Sequence, residues 1–337
     1  MILIFRLVEV PRLLLGCLLI SLSALVGAQN YHQYAEGINF ISMLQNEYGF
    51  APEQVSRWLA LAQKRQSILD AISRPAERVK PWYEYRAIFM NEKRINAGVK
   101  FWREHQSILE EAERKYGVPA QIIVAIIGVE TLYGANTGNY LVLDALTTLG
   151  FDYPPRADFF RSELTQFFLL AREQQIDISQ VKGSYAGAMG LSQFISSSWR
   201  NFAVDFDGDG KIDLWQAADA IGSIANYFKQ HGWHTNGRIA IKAKVSGQEF
   251  KQVLSTKLEA SVTGQELRAA GWYGFSDAFN DYQITAMELE GKDGFEYWLG
   301  LPNFYVITRY NRSKMYAMAV YQLSEAIAAS FYDENSK

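Results

Sequence analysis

Val118-Pro119-Ala120-Gln121-Ile122-Ile123-Val124-Ala125-Ile126-Ile127-Gly128-Val129-Glu130 is the stretch that decides how this chain is read. Pro119 suits a first helical position, because its ring fixes φ and its missing N–H would have no partner there. The run that follows is apolar on every face, which predicts a helix buried all round rather than an amphipathic one. It ends in a carboxylate, and Thr131-Leu132-Tyr133-Gly134 comes next. Apolar walls and the negative end of the helix dipole both penalise an ionised Glu130 and raise its pKa. A glutamic acid that keeps its proton near neutral pH suits general-acid chemistry of the kind glycosidic bond cleavage requires. The plainer alternative is a carboxylate that turns to solvent where its helix stops.

Outward from this helix the pattern stays helical. Pro52-Glu53-Gln54 reads as a first turn ahead of Val55, Trp58, Leu59 and Ala62. Ile95, Val99, Trp102, Ile108 and Leu109 recur at helical spacing until Tyr116-Gly117, where the glycine reads as a stop. Downstream, glycine-rich turns interrupt the pattern at 134–139 and 183–190. From Arg238 the character changes. Ile239 to Val245 alternates as a strand should, and Ile284 to Leu289 is a second candidate. Tyr316 to Ser330 is apolar at helical spacing and predicts a closing helix. The expected class is mainly α (α+β). Its units are a helical domain over 29–116 joined by a C-terminal helix over 309–337, a helical core over 117–236, and a small β-containing domain over 237–308.

The chain has 337 residues, is 49% hydrophobic and carries a formal charge of −3, so no basic field points to nucleic acid. Aromatic residues reach 14%; most must be core, a surplus would also serve a sugar-stacking groove, and composition alone does not separate the two. Residues 1–28 carry Arg6 and Arg12, then an apolar run from Leu13 to Val26, then Val26-Gly27-Ala28. That is the pattern of a secretory signal peptide, and it predicts a periplasmic protein. The single cysteine, Cys17, lies inside the run, so the mature chain is expected to hold no disulfide. Leu14-Leu15-Gly16-Cys17 also looks like a lipoprotein cleavage box. However, only Leu13 to Gly16 separate Cys17 from Arg12, so cleavage after Ala28 is the expectation. Membrane anchoring follows only if Cys17 is lipidated.

Beyond the Glu130 stretch, several motifs occur in order: Arg94-Ile95-Asn96-Ala97-Gly98 with Phe101-Trp102, Tyr185-Ala186-Gly187-Ala188-Met189-Gly190 with Gln193-Phe194, and Asp219-Ala220-Ile221-Gly222-Ser223 with Asn226-Tyr227-Phe228. Leu301-Pro302-Asn303-Phe304-Tyr305 and Thr308-Arg309-Tyr310-Asn311 complete the set. With these the chain resembles the lytic murein transglycosylase B family from about Tyr83 to Leu323. The resemblance implies a lysozyme-like helical core with one catalytic acid, Glu130, and peptidoglycan glycan strands as the partner. It places Ser184, Gln193, Tyr227 and Tyr305 along the glycan groove. A monomer without an organic cofactor is expected. Two departures bear on substrate affinity: Pro155-Arg156 stands where two arginines are usual, and Ile195-Ser196 where Met-Pro is usual.

Asp205-Phe206-Asp207-Gly208-Asp209-Gly210-Lys211-Ile212-Asp213 follows the first nine positions of an EF-hand loop. Oxygens fall at positions 1, 3, 5 and 9, glycine at 6 allows the sharp turn, and Lys211 offers its carbonyl at 7. Position 12 is Gln216, so the bidentate glutamate is absent. Proteins similar to this one use the carboxylate at Asp219 instead. A structural Ca²⁺ held by Asp205, Asp207, Asp209, Lys211 and Asp219 is the expectation, against a solvated Asp-Gly turn. The competing functions are a muramidase-type hydrolase and a non-catalytic glycan binder. A hydrolase would need a second working carboxylate. Asp144, Asp152, Asp158 and Glu163 are the nearby acids, and none sits in a motif that marks it for the role.

Overall fold

The computed structural model describes residues 30–73 and 80–335; the export signal and Cys17 lie outside the described residues. The helix quoted above runs Ala120–Thr131. Pro119 stands just before it, at φ −58°, one position earlier than its ring geometry suggested. Ile122 to Gly128 are all buried, as an apolar circumference requires. Around this axis pack the helices Glu92–Glu104, Gln106–Tyr116 and Ala217–Gln230, together with the long C-terminal helix Lys314–Asn335. Each isoleucine removed from water here contributes roughly 1.5–3 kcal/mol. Gly117, at φ +73°, ends the helix before it with the left-handed residue such a stop needs.

The C-terminal helix is what joins the two ends of the chain. Trp102 stacks on Phe331 with ring centroids 4.3 Å apart, and Tyr316, Val320, Leu323 and Ile327 are buried in the same core. That core runs without a break from Tyr31 through the central helices to Phe331. The helical segments over 29–116 and over 117–236 therefore share one interior.

The remaining module is a five-stranded antiparallel sheet in the order Val262–Thr263, Gln283–Gly291, Gly294–Gly300, Ala240–Val245, Trp272–Tyr273. Its central hairpin turns through Lys292-Asp293 between the paired Gly291 and Gly294. Gly294 has φ +127°, outside what a side chain tolerates. The hairpin strand Gln283–Gly291 is buried on both faces. Ile284 and Ala286 enter a small separate core with Phe250, Leu267 and Trp272, while Met287 and Leu289 enter the main core. The β module is thus fixed to the helical body.

Candidate active site

Glu130 lies in the last turn of helix Ala120–Thr131, with only a minor part of its surface exposed. Burial pushes its carboxyl up to about 7, against the opposing effect of a hydrogen bond from Tyr316. That bond runs from Tyr316 Oη to Glu130 Oε1 at 2.5 Å. Tyr316 is itself buried, in the first turn of the C-terminal helix, and its phenol is pushed well above the usual range by that burial and by the facing Glu130. Tyr310 and Tyr85 also feel the Glu130 charge, each behind the larger effect of its own burial. One phenol from the N-terminal half and two from near the C-terminus are thus gathered about one carboxyl.

The chain leaves the acid through an unusual turn. Leu132 and Tyr133, neither of them glycine, have φ of 51° and 57°. Such conformations cost on the order of 1–3 kcal/mol each and persist only where the surroundings enforce them. Here the Leu132 N–H donates to Gly128 O at 3.2 Å and the Tyr133 N–H to Ile127 O at 3.3 Å. Thr131 Oγ1 donates to Ile127 O at 3.0 Å and accepts from the Gly134 N–H at 3.0 Å. The Tyr133 ring folds back under the helix, where a Cβ on Gly128 would come within 2.5 Å of its hydroxyl and one on Gly98 within 2.6 Å. Both positions need glycine for that reason. Arg94 completes the turn, its guanidinium donating to Gly128 O and lying 5.2 Å from the Phe89 ring centroid. A cation therefore meets the negative helix end beside Glu130.

The glycine-rich loop 183–194 lies beyond this turn. Ser184 is partly exposed, and its Oγ accepts from the N–H groups of Ala186 (3.2 Å) and Ala188 (3.0 Å). Gln193, at φ +50°, donates from Nε2 to Thr137 O at 3.1 Å and Gly190 O at 2.9 Å, which leaves Oε1 for a ligand donor. Tyr310 Oη donates to Ser192 O at 2.5 Å and ties this loop to the phenols around the acid. Tyr305 is partly exposed, with the Arg309 guanidinium 6.0 Å from its ring centroid. Tyr227 is different. It is 7% exposed, donates its hydroxyl to Arg309 O at 2.6 Å and packs edge-on against Tyr310 at 5.0 Å, so it supports the site more than it opens onto it. Arg156 lies over the rings of Phe159 and Phe160. Sequence reasoning missed Tyr85, Tyr310 and Tyr316 as neighbours of the acid. Tyr310 was inside a quoted motif, but nothing local marked Tyr316, 186 residues away.

The other acids are occupied. Asp144 is buried, accepting from the Gln63 N–H at 2.8 Å and from Arg65 Nε at 2.7 Å. Asp152 takes Lys64 Nζ at 2.6 Å and Tyr31 Oη at 2.7 Å. Asp158 pairs with Arg161, and buried Glu163 accepts from the Ser197 N–H at 2.9 Å.

Asp205, Asp207 and Asp209 each bring a carboxylate oxygen within 4.8 Å of the others. Asp205 also accepts from the N–H groups of Gly208, Asp209 and Gly210, so the loop curls around it. Asp219 stands outside that trio. It is buried, and its two oxygens accept from the Phe206 and Asp213 N–H groups at 2.7 Å each. Three convergent hard oxygens fit Ca²⁺, and Asp219 holds the loop closed from the following helix.

The family profile described as a transglycosylase SLT domain matches residues 33–325. Over 298 residues the chain is 44% identical to membrane-bound lytic murein transglycosylase B of Escherichia coli K12, spanning 86% of this chain and 81% of that protein. The crystal structure of catenated lytic transglycosylase SltB1 from Pseudomonas aeruginosa superposes with a TM-score of 0.87 at 55% identity, covering 89% of this chain and 99% of that one. The Escherichia coli lytic transglycosylase Slt35 in complex with calcium gives 0.81 at 41% identity, covering 91% and 95%.

Proposed function

Since the chain belongs to the transglycosylase SLT domain family and is a peptidoglycan lytic transglycosylase with a mainly helical, lysozyme-like fold and a small β part, we propose that Glu130 alone performs its acid and base steps. The observation that carries this is a carboxyl raised to about 7, while each neighbouring acid already serves a structural partner. Protonated Glu130 donates to the oxygen of the β-1,4 bond between N-acetylmuramic acid and N-acetylglucosamine. Among the described residues Asp144, Asp152, Asp158 and Glu163 are each engaged elsewhere, so the sugar's own acetamido carbonyl meets the charge at the anomeric carbon. Glu130, now ionised and steadied by the Tyr316 hydroxyl, takes the proton of the muramyl 6-hydroxyl as that oxygen attacks. An internal nucleophile held in place has an effective molarity of up to about 10⁵ M or more, which favours ring closure over water. Ser184, Gln193 and Tyr305 bind the strand, with Tyr227 behind them.

Asp205, Asp207 and Asp209 with the Lys211 carbonyl would hold a structural Ca²⁺, whose charge relieves the repulsion among three carboxylates, and Asp219, expected as a further ligand, closes the loop through backbone N–H groups instead. The Escherichia coli relative is described as membrane-bound. For this chain we propose export to the periplasm as a monomer, anchored only if Cys17 is lipidated. Among the described residues no helix is long and apolar enough to cross a membrane. Mass spectrometry of digested sacculi tests the reaction, since 1,6-anhydromuramoyl ends are about 18 Da lighter than hydrolysed ends. Predominantly reducing muramic ends would overturn the single-carboxylate mechanism in favour of a muramidase.

A further inference from the structure

A cavity of about 660 Å³ lies beside the acidic loop, between its Gly210–Asp213 half and the end of helix Ala157–Gln174. Two indoles line it, Trp199 and Trp215, with ring centroids 5.7 Å apart. Trp215 is 37% exposed, unusual for an indole with a neighbouring core to enter. Trp199 is 2% exposed, yet its Nε1–H has no hydrogen-bond partner among the described residues. That N–H is closed off from solvent, so Trp199 supplies a packed wall and Trp215 the open ring face. Around the indoles stand exposed Gln174 and Gln175, the Lys211 ammonium and Asp213. An exposed indole face beside planar amides suits a neutral N-acetylated sugar, since Glu173 and Asp213 offset the charge of Lys211 in the lining. The indole takes the ring's apolar face, and the amides take its hydroxyl and acetamido groups.

The cavity also connects to the catalytic loop. Leu214, next to Trp215 and fully buried, accepts the Leu191 N–H at 2.8 Å, and Leu191 lies between Gly190 and Gln193. A Cβ on Gly190 would fall 2.4 Å from that same Leu214 carbonyl. The wall of the cavity and the loop that carries Gln193 are therefore one packed unit. We propose that this cavity is an accessory glycan-binding site, holding a second stretch of the N-acetylated strand on the side of loop 183–194 away from Glu130. The proposal rests on the glycan reading of the active site and extends it to a surface that the reaction itself does not use.

The test uses ¹⁵N-labelled full-length Glu130→Gln protein with calcium present, titrated with chitotetraose while the eight indole N–H signals are followed. The Trp199 and Trp215 signals should move and saturate. Trp215→Ala should abolish the Trp199 response and lower co-sedimentation with sacculi at least about fivefold, the order expected for one lost aromatic face. Gln174→Ala, an exposed change that leaves the fold alone, should weaken the same response. Indole signals at 199 and 215 that stay still, while the backbone amide signals of loop 183–194 move and saturate in the same spectra, overturn the accessory site. If no signal anywhere moves, the glycan reading of Glu130 falls, and the accessory site falls with it.

Discussion

Replacing Glu130 by glutamine should stabilise the protein, and by an amount that depends on pH in a way only this carboxyl can produce. The folded-state pKa of about 7 stands above the ordinary 4.5, because burial disfavours the charge. Below about pH 4.5 the group is protonated in both the folded and the unfolded chain, and its favourable contribution is fully present. As pH rises from there the unfolded chain releases its proton first, so stability falls, and the loss is complete above about pH 7. The gap between 4.5 and about 7 corresponds to about 3 kcal/mol at 1.36 kcal/mol per pH unit. Glutamine has no such proton to hold. The melting temperature of Glu130→Gln relative to the parent should therefore climb between about pH 5 and about pH 7 and then level off. At about 2–4 °C per kcal/mol the total change is several degrees, within reach of scanning fluorimetry. Lytic activity of the variant on sacculi should be nearly absent. A melting gap that is flat across this range would refute the buried, proton-holding carboxyl, whatever the activity does.

Tyr316→Phe removes the one hydrogen bond that lowers the Glu130 pKa, so the alkaline limb of the activity profile should move up by about one pH unit, since bonds to charged groups contribute ~1.5–3 kcal/mol. An unmoved limb would mean that the phenol only packs. Calcium should raise the melting temperature, by an equivalent of about 2.7 kcal/mol at a hundredfold excess over its dissociation constant, and Asp205→Ala or Asp209→Ala should abolish the effect. Chelation that leaves melting unchanged in protein purified without a cation would reduce the loop to a turn. Gly128→Ala should cost about 1–3 kcal/mol and much of the activity, because its methyl would displace the Tyr133 ring beneath the acid. A variant as stable and active as the parent would show that the left-handed turn is not held by that contact.

The helical frame was legible because its signals are local. Gly117 and Pro52 stand at helix ends, and the apolar run before Glu130 has only one way to be satisfied. The strand at Gln283–Gly291 was visible only as a shorter stretch, and its partner Gly294–Gly300 was not foreseen. The reason is physical. Alternation marks a strand with one wet face, and Gln283–Gly291 buries both, one against the small core and one against the helices. The acidic loop was legible to the residue at Asp205, Asp207 and Asp209, whose spacing is itself the geometry. Asp219 could be located but not understood, since its carboxylate takes backbone N–H groups contributed by the loop's own closure.

The surroundings of the acid show why the rest could not be read. Glu130 holds its proton because burial outweighs the Tyr316 bond, while Tyr85, Arg94, Tyr310 and Tyr316 reach its helix end from four separate elements. Each is an ordinary residue in its own stretch. Their effects oppose one another: burial raises the carboxyl, while the Tyr316 bond lowers it. Arg94 adds a cation at the Gly128 carbonyl, against the helix dipole. A pKa of about 7 is the balance of burial and the Tyr316 bond, and it suits the acid-then-base role proposed for this group. Sequence supplies the sign of the largest force through the apolar run, and the fold supplies the others.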